Sequence, residues 1–318
     1  MTPAGPPPTM QQVVRIVRES SILVIGRAFR AGVKGVPGRL FGDADVQSEP
    51  TPFICVTCGT QFSPTPAPLE RCAICEDARQ FVNPAGQGWT WASMLARRHR
   101  NSFRQYEDGV FGIGTVPDFA IGQRALLIRR PSGNVLWDCI ALLDSATIEI
   151  VKALGGLRAI AISHPHYYTT MVEWSRAFGD IPIHLHEEDR RWVMRPDASI
   201  HFWGGDRFEL ADDLELIRLG GHFEGGTVLH APNSPAGGAL FSGDIIQVVA
   251  DRTWVSFMRS YPNFIPLGAA TIRRMIERLG DAQFDRIYGA WWDAVVWSDG
   301  RSAFDRSAAR YIAALEST

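Results

Sequence analysis

Hydrophobic positions along this chain follow two rhythms, and the change between them marks the elements. Short, nearly continuous apolar runs at residues 157–162, 214–219 and 239–241 predict buried strands. Residues 122–128 and 134–137 read as a hairpin turning through Pro131-Ser132-Gly133. A helical period over 145–154 is stopped by Gly155-Gly156. Residues 170–178 and 187–194 read as helices on either side of a strand at 181–185, and several strands fill 200–241. Amphipathic stretches at 267–279 and 302–315 close the chain as helices around a strand at 286–288. Upstream, Trp89-Thr90-Trp91 leads into a helical-looking stretch to about Arg104. Thr90 would cap it, and Arg97, Arg98 and Arg100 fall near its C-terminal end, where the helix dipole favours cations. Periodicity alone licenses an α/β class.

Four residues sit where these strands end: His164 and His166 in Ser163-His164-Pro165-His166, His222 in Gly220-Gly221-His222, and Asp244 in Ser242-Gly243-Asp244. Three imidazoles and a carboxylate on strand-end loops suit a borderline metal such as zinc. Zinc at an open site can generate hydroxide near neutral pH, which points to a metallohydrolase. His201 and His230 read as ordinary polar residues. His184 and His186 alternate onto one strand face, and His186 is the better candidate for a neighbour of the site.

From about residue 110 onward the chain resembles the metallo-β-lactamase superfamily. That family's His-x-His-x-Asp-His motif is similar to His164-Pro165-His166-Tyr167-Tyr168-Thr169, its Gly-His-Thr-Pro-Gly-Ser to Gly221-His222-Phe223-Glu224-Gly225-Gly226, its Gly-Asp to Gly243-Asp244, and its Ile-Asp strand end to Leu136-Trp137-Asp138. The resemblance implies an αββα sandwich and a first metal position built from His164, His166, His222 and Asp244. The second position is degenerate: Tyr168 and Thr169 stand where the family has Asp and His, and Tyr288-Gly289-Ala290-Trp291-Trp292 stands where it has Gly-His. One zinc is therefore expected there, with Asp244 and an assisting Tyr168 as catalytic groups. A phenol is a poor base near pH 7, and losing a general base forfeits about 10²–10⁴ in rate. Tyr167, Tyr168, Trp174, Trp203, Trp254, Phe257, Tyr261, Trp291 and Trp292 are expected near the metal face, and this suggests a small or flat apolar substrate. Arg252 and Arg259 flank this region and could hold an anionic group, though a surface role suits them better.

A second constellation precedes that region. Cys55-Val56-Thr57-Cys58-Gly59 and Cys72-Ala73-Ile74-Cys75 form two Cys-x-x-Cys knuckles, matching a tetrahedral thiolate site. The loop between them is rich in proline and poor in apolar residues, so a metal would supply its stability. This segment resembles a zinc ribbon or a small rubredoxin-like module; zinc in a structural role is expected, with iron as the other possible metal. Cys139 reads as a buried small residue.

Composition sets the outer limits. The 318 residues allow a domain of about 200 residues plus a small module. The expected division is a flexible N-terminal extension over 1–49, a four-cysteine zinc-binding module over 50–85 and a metallo-β-lactamase-like domain over 86–318. A formal net charge of −2 gives no broad nucleic-acid footprint, and no stretch reaches the ~20 apolar residues of a membrane span. The Pro-rich start and the basic stretch 13–36 read as an unstructured extension, a targeting leader or a surface helix. A cytoplasmic setting and a small-molecule substrate are expected. The competing function class is a non-catalytic metalloprotein whose four-cysteine module mediates partner binding or self-association.

Overall fold

Strand residues alternate between two buried faces, and that alternation builds four layers. The structure, a computed structural model, describes residues 49–211, 213–235 and 237–317. The expectations for the first 48 residues lie outside these.

One sheet has seven strands in sequence order: β1 (Arg100–Glu107), β2 (Val110–Val116), β3 (Arg124–Ile128), β4 (Val135–Trp137), β5 (Ala159–Ala161), β6 (Ile183–His186) and β7 (Ile200–Trp203). The first four run antiparallel and β4 to β7 run parallel. The other sheet joins β8 (Arg207–Ala211), β9 (Leu214–Arg218), β10 (Thr227–Ala231), β11 (Ala239–Gly243), β12 (Arg286–Gly289) and β13 (Val295–Val296). Only its β11–β12 pair is parallel.

Leu126 and Ile128 of β3 meet Leu229, Ala239 and Phe241 of the second sheet in the core between the sheets. Ala125 and Leu127, on the opposite face of β3, pack with Val151 of α2 (Ser145–Ala153) and with Met171, Val172 and Trp174 of α3 (Met171–Ala177). On the second sheet, Ile217, Val228 and Leu240 turn outward against α4 (Ala269–Leu279) and α5 (Gly300–Glu316). This is the αββα sandwich of metallo-β-lactamase type.

Two local expectations are corrected. The helix preceding β1, α1 (Ala92–Arg98), is only seven residues long, and Trp91 rather than Thr90 takes the N-cap position. Residues from Arg100 onward instead form β1, because every one from Arg100 to Gln105 pairs with β2. This is an edge strand whose outward face is polar, so it lacks the apolar alternation that marks a strand. The segment expected as a helix at 187–194 is a 3₁₀ helix over Glu187–Trp192.

Gly112 and Gly114 on β2 are required by close approach. A Cβ on Gly114 would meet the Trp292 indole at 2.6 Å. The Trp292 indole therefore packs directly on β2.

Residues 49–90 pack on the sandwich. Ile54–Cys55 pairs with Trp89–Thr90 in a short antiparallel ladder. Phe62, Ile74 and the cysteines form a small core that also takes in Trp192 and Met194. The amide of Gln61 donates to the Thr169 carbonyl at 3.0 Å, and Ser63 N–H donates to Met194 O at 3.2 Å.

Candidate metal centres and cavity

Three strand ends of the sandwich converge on one point. His164 follows β5. Its loop is fixed by Asp138 at the end of β4, whose Oδ1 accepts the Ser163 N–H at 2.8 Å. Ser163 Oγ lies 2.9 Å from His164 Nδ1, so the far ring nitrogen, Nε2, is left over. His166 lies in the short 3₁₀ turn Pro165–Tyr167.

His222 sits in the loop between β9 and β10. Its Nδ1 lies 3.2 Å from the Met258 carbonyl, to which it donates, leaving a lone pair on Nε2. The neighbouring Gly225 must lack a side chain, because a Cβ there would lie 2.7 Å from Asp189 Oδ2. The buried Asp189 takes the Gly225 N–H at 3.0 Å and so anchors the loop. Asp244 follows β11, and Tyr261 donates its phenol proton to the Asp244 carbonyl at 2.7 Å.

One donor atom from each of His164, His166, His222 and Asp244 lies within 4.8 Å of all the others. His164 Nε2 and Asp244 Oδ1 are 3.0 Å apart. Those two atoms and His166 Nε2 are buried with no hydrogen-bond partner among the described residues. Leaving such groups unsatisfied costs about 1–3 kcal/mol each, so the cluster fits a cation that would satisfy them together. Burial acts in the same sense on the rings: it holds His164 and His166 well below the usual histidine range and brings His222 down to about 4. All three are thus neutral, as ligands must be. Burial also raises the Asp244 carboxyl to about 7, against a lowering by the Tyr167 phenol.

The cysteines form the other cluster. Their Sγ atoms also lie within 4.8 Å of one another. The Cys55–Cys75 and Cys58–Cys72 sulfur pairs are each 3.6 Å apart, and all four thiols are free. A tetrahedral zinc with bonds of about 2.3 Å would place its sulfurs about 3.8 Å apart, so the set has the right size for that ion. Hydrogen bonds from the neighbouring thiols favour ionisation of Cys55, whereas burial disfavours it at Cys58. Without a cation the cluster cannot hold four negative charges.

The structure places Tyr167, rather than the Tyr168 expected to assist, beside Asp244. Tyr168 is buried in the core between the first sheet and its helices, and burial holds its phenol well above its ordinary value. Tyr167 instead faces Asp244 and stacks edge-on against His164 with ring centroids 4.5 Å apart. The one-residue difference follows from the 3₁₀ turn, which ends between them.

Of the other aromatic residues expected at the metal face, Tyr261 and Trp291 line the cavity. Trp174, Trp203 and Phe257 are core residues, and Trp254 lies under Arg310. What lies against Thr169 is the Cys segment: Gln61 bonds its carbonyl, and a Cβ on Gly59 would sit 3.4 Å from its methyl. His186 is outside the cluster, with Nε2 2.9 Å from the Gly205 carbonyl; His184 packs on His201, and His230 Nε2 lies 2.8 Å from Gln283 O.

A cavity of about 300 Å³ opens over His166, His222 and Asp244. Sequence reasoning missed one whole wall of it: Arg79, Gln80 and Phe81, which follow the second Cys knuckle. Arg79 is 2% exposed. Its Nε and Nη2 donate to Asp77 at 2.6 and 2.9 Å, its Nη1 donates to the His222 carbonyl at 3.2 Å, and its guanidinium lies 3.8 Å from the centre of the Phe223 ring. Burial disfavours the Arg79 cation, but Asp77 outweighs that and raises its pKa. No periodicity or spacing marks these residues; the adjacency to Cys75 was the one available signal.

The layers and the strand-end site give this chain the metallo-β-lactamase fold. Among solved structures, the DIM-1 metallo-β-lactamase exposed to ceftazidime matches with a TM-score of 0.50 and 13% identity, over 68% of this chain and 98% of that one. The mono-zinc form of the FIM-1 enzyme of Pseudomonas aeruginosa matches with a TM-score of 0.50 and 15% identity, over 68% and 96%. No protein-family model matches the sequence. The Bacillus subtilis (strain 168) protein YmaE is 48% identical over 268 residues, covering 83% of this chain and 97% of YmaE. The chain belongs to the same family as YmaE.

Proposed function

We propose that this protein is a metal-dependent hydrolase that cleaves an ester, thioester or similar bond of a small molecule. One zinc would be held by His164, His166, His222 and Asp244, and a structural zinc by Cys55, Cys58, Cys72 and Cys75. The observation that carries the reading is the cluster of three imidazoles and a carboxylate at the base of an open cavity, with His164 Nε2, His166 Nε2 and Asp244 Oδ1 buried without a hydrogen-bond partner among the described residues. Zinc in such a position supplies a Lewis acid and hydroxide near neutral pH.

The chain's own residues do the positioning. Asp138, through Ser163, holds the His164 ring, and the Met258 carbonyl holds that of His222. Tyr167 faces Asp244, and its phenol favours the ionised carboxylate that a ligand must be. Among the described residues, Asp244 is the one carboxylate lining the cavity. When it serves as a ligand no separate base remains there, so turnover is expected to be slow by about 10²–10⁴ against a hydrolase that has one.

The five unpaired cysteines suit a reducing, cytoplasmic setting. Among the described residues no helix is long and apolar enough to cross a membrane.

Elemental analysis of protein purified without added metal tests the reading, together with turnover of simple esters and thioesters. Two zinc ions per chain and measurable hydrolysis are expected. Iron in their place would revise the metal. A single ion confined to the cysteines would overturn the hydrolase in favour of a non-catalytic metalloprotein.

A further inference from the structure

Away from the histidine cluster, the cavity walls are Phe81, Ala120, Ile121, Tyr261, Pro262 and Trp291. Their polar atoms are committed elsewhere: Trp291 Nε1 donates to the Ile121 carbonyl at 3.2 Å, and Tyr261 donates to the Asp244 carbonyl. Among the described residues, Arg79 is the one cation lining the cavity. Each of its guanidinium nitrogens already bonds the protein, and its charge is answered by Asp77 and by Glu224, 3.4 Å from Nη1. Away from a metal at the histidine cluster, a carboxylate or phosphate held against these walls would lose its hydration and meet no free cationic partner among these residues.

Gln80 is different. It lines the same cavity and is 3% exposed. Its Oε1 accepts the Phe81 N–H at 3.0 Å, but its Nε2 is buried with no partner among the described residues. Nε2 is enclosed in the cavity wall, so a turn of the Gln80 side chain is what brings it to an oxygen in the cavity. An amide donor left unsatisfied there gains a partner by that turn, and an uncharged acceptor suits it.

We propose that the cavity takes an uncharged apolar group, aryl or short acyl, that carries a carbonyl, and that Gln80 donates its free amide N–H to that carbonyl oxygen. The proposal rests on the hydrolase reading of the same site and narrows it to uncharged esters or thioesters. Gln80 is then a substrate-binding residue supplied by the Cys segment rather than by the sandwich.

Calorimetry on the full metal-loaded chain, with three probes of similar size, tests this. Acetophenone offers a ring and a carbonyl, ethylbenzene a ring without one, and acetylbenzoate adds a negative charge. Acetophenone should bind, and acetylbenzoate roughly tenfold or more weaker. Gln80→Leu should weaken acetophenone by roughly tenfold while leaving ethylbenzene within about twofold. Gln80→Glu keeps the acceptor for Phe81 N–H and removes the donor. It should reproduce the loss, and it stands in should the leucine variant not fold. Equal losses for both neutral probes would make Gln80 a packing residue, and tighter binding of acetylbenzoate would make the cavity an anion site; either result overturns the proposal. Phenyl acetate turnover on the same samples separates the two readings. Ketone discrimination without turnover sinks the hydrolase alone, and turnover without any Gln80 effect sinks this inference alone.

Discussion

Arg79 places its guanidinium 3.8 Å from the centre of the Phe223 ring and donates to the carbonyl of His222, the residue before it. A side chain from the Cys segment thus holds the loop that carries one of the three histidines. The segment that carries one candidate metal cluster walls the cavity over the other.

The first prediction concerns that wall. Arg79→Met keeps much of the apolar contact with Phe223 but removes the bonds to Asp77 and His222. Zinc at the histidine site should be lost to a chelator about tenfold more readily, with the Cys-bound zinc retained. Chelator competition with a colorimetric indicator measures both; equal retention at the histidine site would sever the link.

His222→Ala removes a proposed ligand without touching the sandwich core. Total metal should fall by one ion per chain, while the Cys-bound ion stays. An unchanged count by elemental analysis would show that the assignment of this cluster is mistaken.

Cys72→Ser should loosen residues 49–85 far more than the sheets. In hydrogen exchange, amides of this segment and of residues 222–225 should lose protection together, because Arg79 joins them. Amides of β3 and β11 should keep theirs. Global loss of protection would instead make the cysteines part of the main folding unit.

A pH dependence follows from His184. Burial, with a contribution from His201, lowers its pKa to about 4, below the ordinary value of 6.5. The unfolded chain therefore binds a proton that the native one refuses as pH falls from 6.5 towards 4, and stability declines across that window. His184→Gln should flatten this acid limb by about 2 kcal/mol, less than the full shift because the ring is not wholly buried. Urea midpoints at pH 7 and pH 4.5 report the difference, and parallel slopes for the two proteins would contradict it.

Gly114→Ala forces a Cβ to 2.6 Å from the Trp292 indole. The overpacking should cost about 1–3 kcal/mol in denaturant, and combining it with Trp292→Ala should recover part of that cost. Additive losses would show that the two positions do not press on each other.

Legibility in the sequence divided along physical lines. His164, His166, His222 and Asp244 were visible because each ends or follows an apolar strand, and buried strands announce themselves. The cysteines were visible through short-range spacing. β1 was not, since an edge strand with a polar outer face has no hydrophobic rhythm. The motif puts Tyr168 in the place beside the site that Tyr167 occupies, because spacing alone cannot resolve which way successive side chains turn in a 3₁₀ step. Arg79 and Gln80 were invisible for a deeper reason. Their surroundings come from long-range packing of one segment against another, which local pattern does not encode.

The placement of Arg79 and Gln80 a few residues after Cys75 has a consequence for maturation. A chain that folded its sandwich in a zinc-starved cell would own three histidines but only part of their enclosure. If the cysteines hold zinc as proposed, filling them would act as an assembly checkpoint: an ion remote from the proposed substrate cavity would finish its enclosure.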